Sequence, residues 1–337
     1  MKKFTRTLTC ILALSTITTV AIADEDAELV INGDLNISTK AAAPADSALD
    51  ELISGWRFRT NETQALQMDD FDNPSFIFIE QGEDLYAKVD GSEGKSCASC
   101  HEDVASFEGL KSTLPRHNAT TGKLDTMETL VNDCRTERMG AEPWKWSKGK
   151  MTAMTSLISL QSRGMPINVK TDGEAAGAYD LGKELYYTRV GQLDMSCANC
   201  HEDNYGNMIR ADHLSQGQIN GFPTYRLKNA KMNSIHARFK GCMKNIRATP
   251  FKEGSDEFRA LELYVASRGN GLSVEVRGLA RALQVSKPVV TRALNPLSAL
   301  DYLQRKRADA DRRNICVAGT RAGKRFPQNP PRHPHTQ

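Results

Sequence analysis

The sequence has few long apolar runs and little of the alternating polar and apolar pattern that β-strands show. After residue 23, no stretch approaches the roughly 20 apolar residues that a membrane-spanning helix needs. Aromatic residues make up only 7% of the chain, and the mean hydropathy is −0.48. These deficits argue against a membrane-spanning protein and against a mainly β fold.

The first residues have the pattern of a secretory signal. Lys2, Lys3 and Arg6 supply positive charge, residues 8–21 are mostly apolar, and Ala21-Ile22-Ala23 is a small-residue cleavage site. We expect a signal peptide over residues 1–23, cleaved after Ala23. The mature protein is then exported and periplasmic.

Charge is distributed unevenly along the chain. Residues 24–276 hold 28 basic and 38 acidic side chains, whereas residues 277–337 hold 13 basic and 3 acidic ones. The net charge of +3 therefore hides an acidic body and a basic tail. The local field, more than the overall charge, decides which partners are attracted.

Two Cys-x-x-Cys-His motifs stand 100 residues apart, Cys97 to His101 and Cys197 to His201. In such a motif two thiols add to the vinyl groups of one porphyrin, and the adjacent imidazole ligates the iron. Redox dithiols and zinc sites also use paired cysteines, but neither needs a histidine directly after the second one. We therefore predict two covalently bound haem c groups. The residues that would hold them are Cys97, Cys100 and His101 in the first motif, and Cys197, Cys200 and His201 in the second.

The motifs belong to an internal repeat. Gly82–Tyr86 and Gly182–Tyr186 precede them at the same distance, and a run that ends in Ser-Arg-Gly closes each half at residues 162–164 and 267–269. Helix signals dominate both halves. The predicted fold is mainly α, with two cytochrome c-like helical domains in tandem over residues 61–170 and 171–275. Residues 24–60 are acidic or Ala-rich, and we expect this N-terminal extension to pack late or not at all.

One further cysteine follows each motif, Cys134 in the first half and Cys242 in the second. Three interpretations stay open from spacing alone. The two residues form a disulfide, they are buried free thiols, or each is a thiolate ligand of an iron. Cys10 leaves with the signal peptide, and Cys316 in the tail is interpreted as a spare thiol.

Cys242 lies in a basic segment. If residues 236–247 are helical, Arg238 lies one turn before Cys242 on the same face. A guanidinium there would lower the pKa of the thiol and bind an oxyanion in its planar fork. The alternative is a solvated basic end of a helix.

Several segments between residues 50 and 275 resemble the SoxA family, dihaem cytochrome subunits of the bacterial sulfur-oxidising L-cysteine S-thiosulfotransferase. They are Asn132–Glu137, Ala141–Trp144, Gln161–Pro166, Gly191–Asp194, Leu214–Gly217, Phe222–Arg226, Gly241-Cys242 and Arg247-Ala248.

The resemblance implies roles for particular residues. His101 and Cys134 would be the axial ligands of the first iron, and His201 and Cys242 those of the second. Cys242 would be the catalytic cysteine, found in the family as a persulfide. Arg238 would bind thiosulfate, with Arg247 and Arg268 as further substrate-binding candidates.

The resemblance also implies a reaction and partners. Thiosulfate would be joined oxidatively to a cysteine of a SoxY-like sulfur-carrier protein. Two electrons would pass to the haems and then to a soluble cytochrome c. A small monohaem cytochrome of the SoxX type would complete a heterodimer.

The C-terminal tail resembles something else. Residues 276–294 look like the helix-turn-helix of MarR-type winged-helix repressors, and residues 310–314 lie at the position of the wing. We expect a winged-helix-like extension over residues 276–326 and a disordered tail over residues 327–337. Because export separates the chain from chromosomal DNA, no nucleic-acid partner is expected.

Two other functions are compatible with the residues. The first is a non-catalytic dihaem electron carrier, in which Cys134 and Cys242 serve only as ligands or as a disulfide. The second is a regulator that uses haem as a sensor, and it depends on the tail.

Overall fold

The computed structural model describes residues 28–45, 47–210 and 212–275, together with the backbone of residues 303–307 and 315–319. Helices dominate the described ranges, which agrees with the predicted mainly α fold. The predicted signal peptide and the predicted helix-turn-helix at residues 276–294 lie outside them. None of the helices in these ranges has the length and apolar character needed to cross a membrane.

The N-terminal extension is folded. It forms two antiparallel hairpins, β1 (Leu29–Ile31) with β2 (Leu35–Ile37), and β3 (Lys40–Ala42) with β4 (Glu51–Ile53). Leu29 and Ile31 are fully buried against Trp56 in a small cluster of their own. The expectation that residues 24–60 would not pack at all is therefore wrong for the described ones. Three-residue strands are too short for their alternation to be recognised within an acidic, Ala-rich composition.

The first domain is built around one helix pair, α2 (Phe76–Ala87) and α5 (Gly149–Leu160). Buried side chains of this pair form a cluster with those of α4 (Met127–Asp133). The 3-10 helices Gly55–Phe58, Val104–Phe107 and Lys111–Thr113 connect the longer elements, and a π-helical turn, Cys134–Arg138, follows α4. The bounds are α1 Asn61–Met68, α2 Phe76–Ala87, α3 Ala98–His101, β5 Arg116–Asn118, β6 Lys123–Asp125, α4 Met127–Asp133 and α5 Gly149–Leu160.

The second domain repeats this plan, with α6 (Ala176–Tyr187) and α9 (Asp256–Ser267) as its main helix pair. Short 3-10 helices lie at Gly173–Ala175 and Leu227–Asn229. The bounds are α6 Ala176–Tyr187, α7 Cys197–His201, β7 Met208–Ile209, β8 Asp212–His213, β9 Thr224–Arg226, β10 Lys231–Asn233, α8 Ile235–Asn245 and α9 Asp256–Ser267.

A glycine allows each helix pair to approach closely. A Cβ on Gly82 of α2 would lie 2.9 Å from Leu157 Cβ of α5, and one on Gly182 of α6 would lie 2.9 Å from Tyr264 Cβ of α9. Both would also meet a backbone carbonyl of the facing helix, at Ala153 and Ala260. Glycine is therefore required at both crossings, and the repeat seen in the sequence is a repeat of helix packing.

The repeat continues after the motifs with a larger offset. The hairpin of β5 and β6 and the helix α4 recur 108 residues later as the hairpin of β9 and β10 and the helix α8. The N-caps Thr126 and Ser234 keep this offset, and so do Cys134 and Cys242. The extra residues fall in the stretch that contains the hairpin of β7 and β8 in the second domain.

The described part of the tail is one antiparallel hairpin, β11 (Leu303–Arg307) with β12 (Ile315–Gly319). It brackets residues 308–314, which include the predicted wing. Those intervening residues, like residues 276–302, lie outside the described ranges.

The helix crossing in the second domain can be tested with two glycines of α6. Gly182→Ala should lower the free energy of unfolding by about 1–3 kcal/mol, because the added methyl group meets the backbone of α9. Gly177→Ala is the matched control, since nothing lies within 4 Å of its Cβ position. It should leave stability unchanged or raise it by up to about 1 kcal/mol through helix propensity. Equal effects in denaturant unfolding would contradict the close crossing.

Candidate haem and sulfur sites

Both Cys-x-x-Cys-His motifs form short helices whose starts are fixed by side chains. Ser196 caps α7 by accepting a hydrogen bond from the Asn199 backbone N–H, and Asn199 Oδ1 accepts one from the Ser196 N–H at 3.0 Å. Ser96 and Ser99 make the corresponding bonds at the start of the first motif. Each helix thus presents its two cysteines and its histidine over little more than one turn.

The His201 ring is held in one orientation. Its Nδ1 lies 2.7 Å from the Ser215 carbonyl oxygen, and burial lowers the pKa of the ring. A neutral imidazole that donates from Nδ1 keeps a lone pair on Nε2, which is the arrangement of a metal-ligating histidine.

The N-terminal extension supports the loop that holds His201. Gln216 follows Ser215 directly and is 1% exposed. Its side chain accepts a hydrogen bond from the Ile53 N–H at 2.7 Å and donates one to the Glu51 carbonyl at 2.9 Å, both in β4. The folded extension therefore contributes indirectly to the orientation of His201.

A turn before each motif ties it to the segment that follows the lone cysteine. In the second domain, Gln192 N–H donates to the Arg247 carbonyl at 3.4 Å and Leu193 N–H to the Ile246 carbonyl at 3.3 Å. Gly191 has a φ of +76°, and a Cβ there would lie 2.8 Å from the Ala248 nitrogen. The end of α8 is thereby held against the approach to α7.

The first domain contains the same contact. Ser92 N–H donates to the Gly140 carbonyl at 3.2 Å and Glu93 N–H to the Met139 carbonyl at 3.1 Å. Gly91 has a φ of +79°, close to that of Gly191. We call these two contacts, residues 91–93 on 139–140 and residues 191–193 on 246–247, the motif clasps.

Each lone cysteine lies beside its own motif. Cys134 interacts electrostatically with Cys97 and Cys100, and Cys242 does so with Cys197 and Cys200. None of the six cysteines within residues 28–275 forms a disulfide. The structure thus excludes a disulfide between Cys134 and Cys242, which belong to separate sites.

The charges of two arginines act on Cys242. Burial raises the pKa of the Cys242 thiol, whereas the charges of Arg238 and Arg226 act in the opposite direction. Arg238 lies on α8 one turn before Cys242, as predicted, and Arg226 ends β9. Arg226 is not among the site residues that the sequence predicts. It belonged to a segment that carried the family resemblance, but its position next to α8 depends on the hairpin.

The other two predicted arginines lie elsewhere. Arg268, whose side chain is 8% exposed, bonds to Glu202, lies 4.6 Å over the Tyr186 ring and affects the pKa of Cys197 and His201. Arg247 is exposed and takes part in the motif clasp through its backbone. Of the three predicted substrate-binding arginines, the structure brings Arg238 to Cys242.

The residues present fit a covalently bound porphyrin in each domain. Tyr86 Oη and Tyr186 Oη occupy equivalent positions near the motifs, are buried and have no hydrogen-bond partner among the described residues. Arg268 Nε and Nη2 are also buried without such a partner. Unpaired buried donors are costly, and the carboxylates of a haem are suitable acceptors for them. The His101 ring in the first domain packs on Phe107, with 4.6 Å between ring centroids.

A repeated helical scaffold with two such motif helices defines the class of protein as a cytochrome c. The family model described as SoxA/TsdA, cytochrome c domain, matches residues 81–167 and 181–274. The chain belongs to this family, which confirms the resemblance and the mainly α cytochrome c-like fold. A cytochrome c domain carries covalently bound haem c. A MarR family model matches residues 257–314, which confirms the second resemblance.

Relatives of known activity are similar over most of their length. The L-cysteine S-thiosulfotransferase subunit SoxA of Rhodovulum sulfidophilum is 54% identical over 75% of this chain and 89% of its own. The corresponding subunit of Paracoccus pantotrophus is 59% identical over 72% of this chain and 85% of its own. The crystal structure of SoxXA from P. pantotrophus superposes with a TM-score of 0.73 at 57% identity, covering 74% of this chain and 97% of that one.

The environment of His201 can be tested with a pair of left-handed glycines. Gly217 (φ +81°) would place a Cβ 2.9 Å from His201 Cγ, whereas Gly206 (φ +83°) has open space there. Both alanine variants should lose roughly 1–2 kcal/mol from the left-handed backbone. Gly217→Ala should also displace the ring, lower Tm further and change the absorption spectrum of the second haem. Indistinguishable spectra and Tm values for the two variants would contradict this placement of His201.

Proposed function

We propose that this chain is the dihaem cytochrome c subunit of an L-cysteine S-thiosulfotransferase. It would couple thiosulfate oxidatively to a cysteine of a sulfur-carrier protein during sulfur oxidation. The observation that carries the proposal is the position of Cys242, beside the second motif and facing Arg238. The high identity to SoxA subunits supports the same conclusion.

Two haem c groups are part of the proposal. Cys97 and Cys100 would attach the first, and His101 and Cys134 would ligate its iron. Cys197 and Cys200 would attach the second, and His201 and Cys242 would ligate its iron. The contact between His201 Nδ1 and the Ser215 carbonyl oxygen, and the proximity of each lone cysteine to its motif, support this ligand set.

The residues of the second domain can carry out the reaction in two steps. In the first, the Cys242 sulfur forms a bond to the terminal sulfur of thiosulfate, giving a Cys242–S–S–sulfonate, and two electrons are released. When bound, the haem groups supply the one-electron acceptors that this bond formation needs. In the second, the carrier thiolate attacks the sulfur next to the sulfonate, takes it with the sulfonate and releases the Cys242 thiolate.

Arg238 would hold the sulfonate during both steps. Its guanidinium fork matches the oxygen geometry of the anion, and its charge offsets the negative charge that remains on the transferred group. Arg247 and Arg268 stay predictions as substrate-binding residues. The contacts of Arg268 with Glu202 and Tyr186 support a role beside His201 more directly than a role beside the Cys242 sulfur.

The proposal includes partners and a location. A small monohaem cytochrome of the SoxX type is supported by the similarity to SoxXA. A SoxY-like carrier and a soluble cytochrome c acceptor complete the pathway of sulfur and electrons. Residues 1–23 would direct the chain to the periplasm, with cleavage after Ala23.

Cys242→Ala tests the proposed role directly. Thiosulfate-dependent reduction of cytochrome c, measured with the SoxX-type subunit and the carrier present, should fall to background because the sulfur relay is lost. Both haems should stay covalently attached, as judged by mass. The matched control is Lys244→Ala, an exposed residue on the same helix, which should keep turnover near that of the unaltered protein. Turnover retained by Cys242→Ala would refute the relay.

A further inference from the structure

The repeat allows the surroundings of the two lone cysteines to be compared position by position. With the offset of 108 residues that relates Cys134 to Cys242, Leu130 corresponds to Arg238 and Asn118 corresponds to Arg226. Both arginines therefore occur in the second domain only, on elements that the two domains share.

We infer that Arg226 is a second substrate-binding residue, which together with Arg238 forms a two-guanidinium site for the thiosulfate dianion beside Cys242. This inference rests on the proposed function.

The fold places Arg226 next to α8. β9 ends at Arg226, whose Cα pairs with that of Lys231 at the start of β10. β10 leads directly into Ser234, the N-cap of α8, so the hairpin and the helix form one continuous unit. Arg226 is half-buried, and it is one of the two cations whose charge is felt at Cys242.

Burial and then the charge of Arg238 lower the pKa of Arg226, whereas the charge of Asp212 acts in the opposite direction. Asp212 itself forms an ion pair with Arg59. Within the described ranges, neither Arg226 nor Arg238 forms an ion pair of its own. The summed charge of the two guanidiniums matches the two negative charges of thiosulfate.

The first domain shows the same scaffold without this site. Asn118 is used within its own hairpin, since its Nδ2 donates to Asp125 Oδ2 at 3.0 Å and its Oδ1 accepts from the Thr120 N–H at 2.9 Å. Leu130 is apolar. The domain keeps the motif and the lone cysteine, yet it has no cation at either position.

Two cations act on Cys134, the exposed Arg138 and the buried Arg135, and both lie on the π-helical turn that begins with Cys134 itself. The Arg135 side chain donates to Asp90 Oδ2 at 2.9 Å and to the Glu142 carbonyl at 3.0 Å, and it lies 4.0 Å over the Trp144 ring. A guanidinium with these partners is structural. The first domain thus lacks cations at the two positions that Arg226 and Arg238 occupy in the second domain, and this difference favours anion binding in the second domain.

Arg226→Asn, which installs the residue of the first domain, tests the inference. Using the complete heterodimer with its haems, the Kd for thiosulfate is measured by calorimetry without carrier, and the KM in the cytochrome c reduction assay. Loss of one charge-assisted contact should raise both by about ten- to hundredfold. Arg226→Lys should recover part of the affinity, because it restores the charge without the planar fork.

The matched control is Lys231→Asn, an exposed cation directly across the hairpin from Arg226. It should leave Kd and KM unchanged, whereas an equal rise in both variants would assign the effect to general surface charge and overturn the inference. Equal affinity of Arg226→Asn and unaltered protein, with an unchanged haem spectrum, would also overturn it. The Cys242→Ala variant tests the proposed function separately. Its loss of turnover is expected whether or not Arg226 binds thiosulfate.

Discussion

The two motif clasps are the constraint on which the rest of the structure depends. A motif helix alone presents two thiols and an imidazole. The sulfur of the lone cysteine lies on a different helix and must be brought close to them. The turn at Gly191 does this by bonding to the backbone just after Cys242, and the turn at Gly91 does the same after Cys134. Only a residue that tolerates positive φ without a side chain permits that approach. The close helix crossings at Gly82 and Gly182 hold the two motifs in equivalent positions within their domains.

One scaffold thus serves two domains, and their difference lies in a few side chains. Both domains contain a motif helix, a clasp, a hairpin and a helix that leads to a lone cysteine. The second domain adds Arg226 and Arg238 on the last two elements, where the first has Asn118 and Leu130. A repeated structural framework with one chemically specialised copy explains why a chain with two similar sulfur-bearing sites would bind thiosulfate at one of them.

Much of this organisation could be predicted from the sequence, because the motifs and the offset of 100 residues are local patterns. The offset of 108 residues was harder to detect, since the added residues with β7 and β8 interrupt the alignment of the halves. Arg226 became a candidate only when the hairpin placed it beside α8. The folded N-terminal strands were missed because their burial depends on distant partners, such as Gln216 and Leu272. The position of Arg268 against Glu202 and Tyr186 likewise follows from tertiary contacts that periodicity does not encode.

The central proposal is a second haem whose iron His201 and Cys242 would both ligate. Near-infrared magnetic circular dichroism of the ferric holoprotein identifies the axial ligands of each low-spin haem and tests this pairing most directly. We expect the charge-transfer band of histidine–thiolate ligation from the second haem. A band typical of methionine or of a second imidazole opposite His201 would contradict the account.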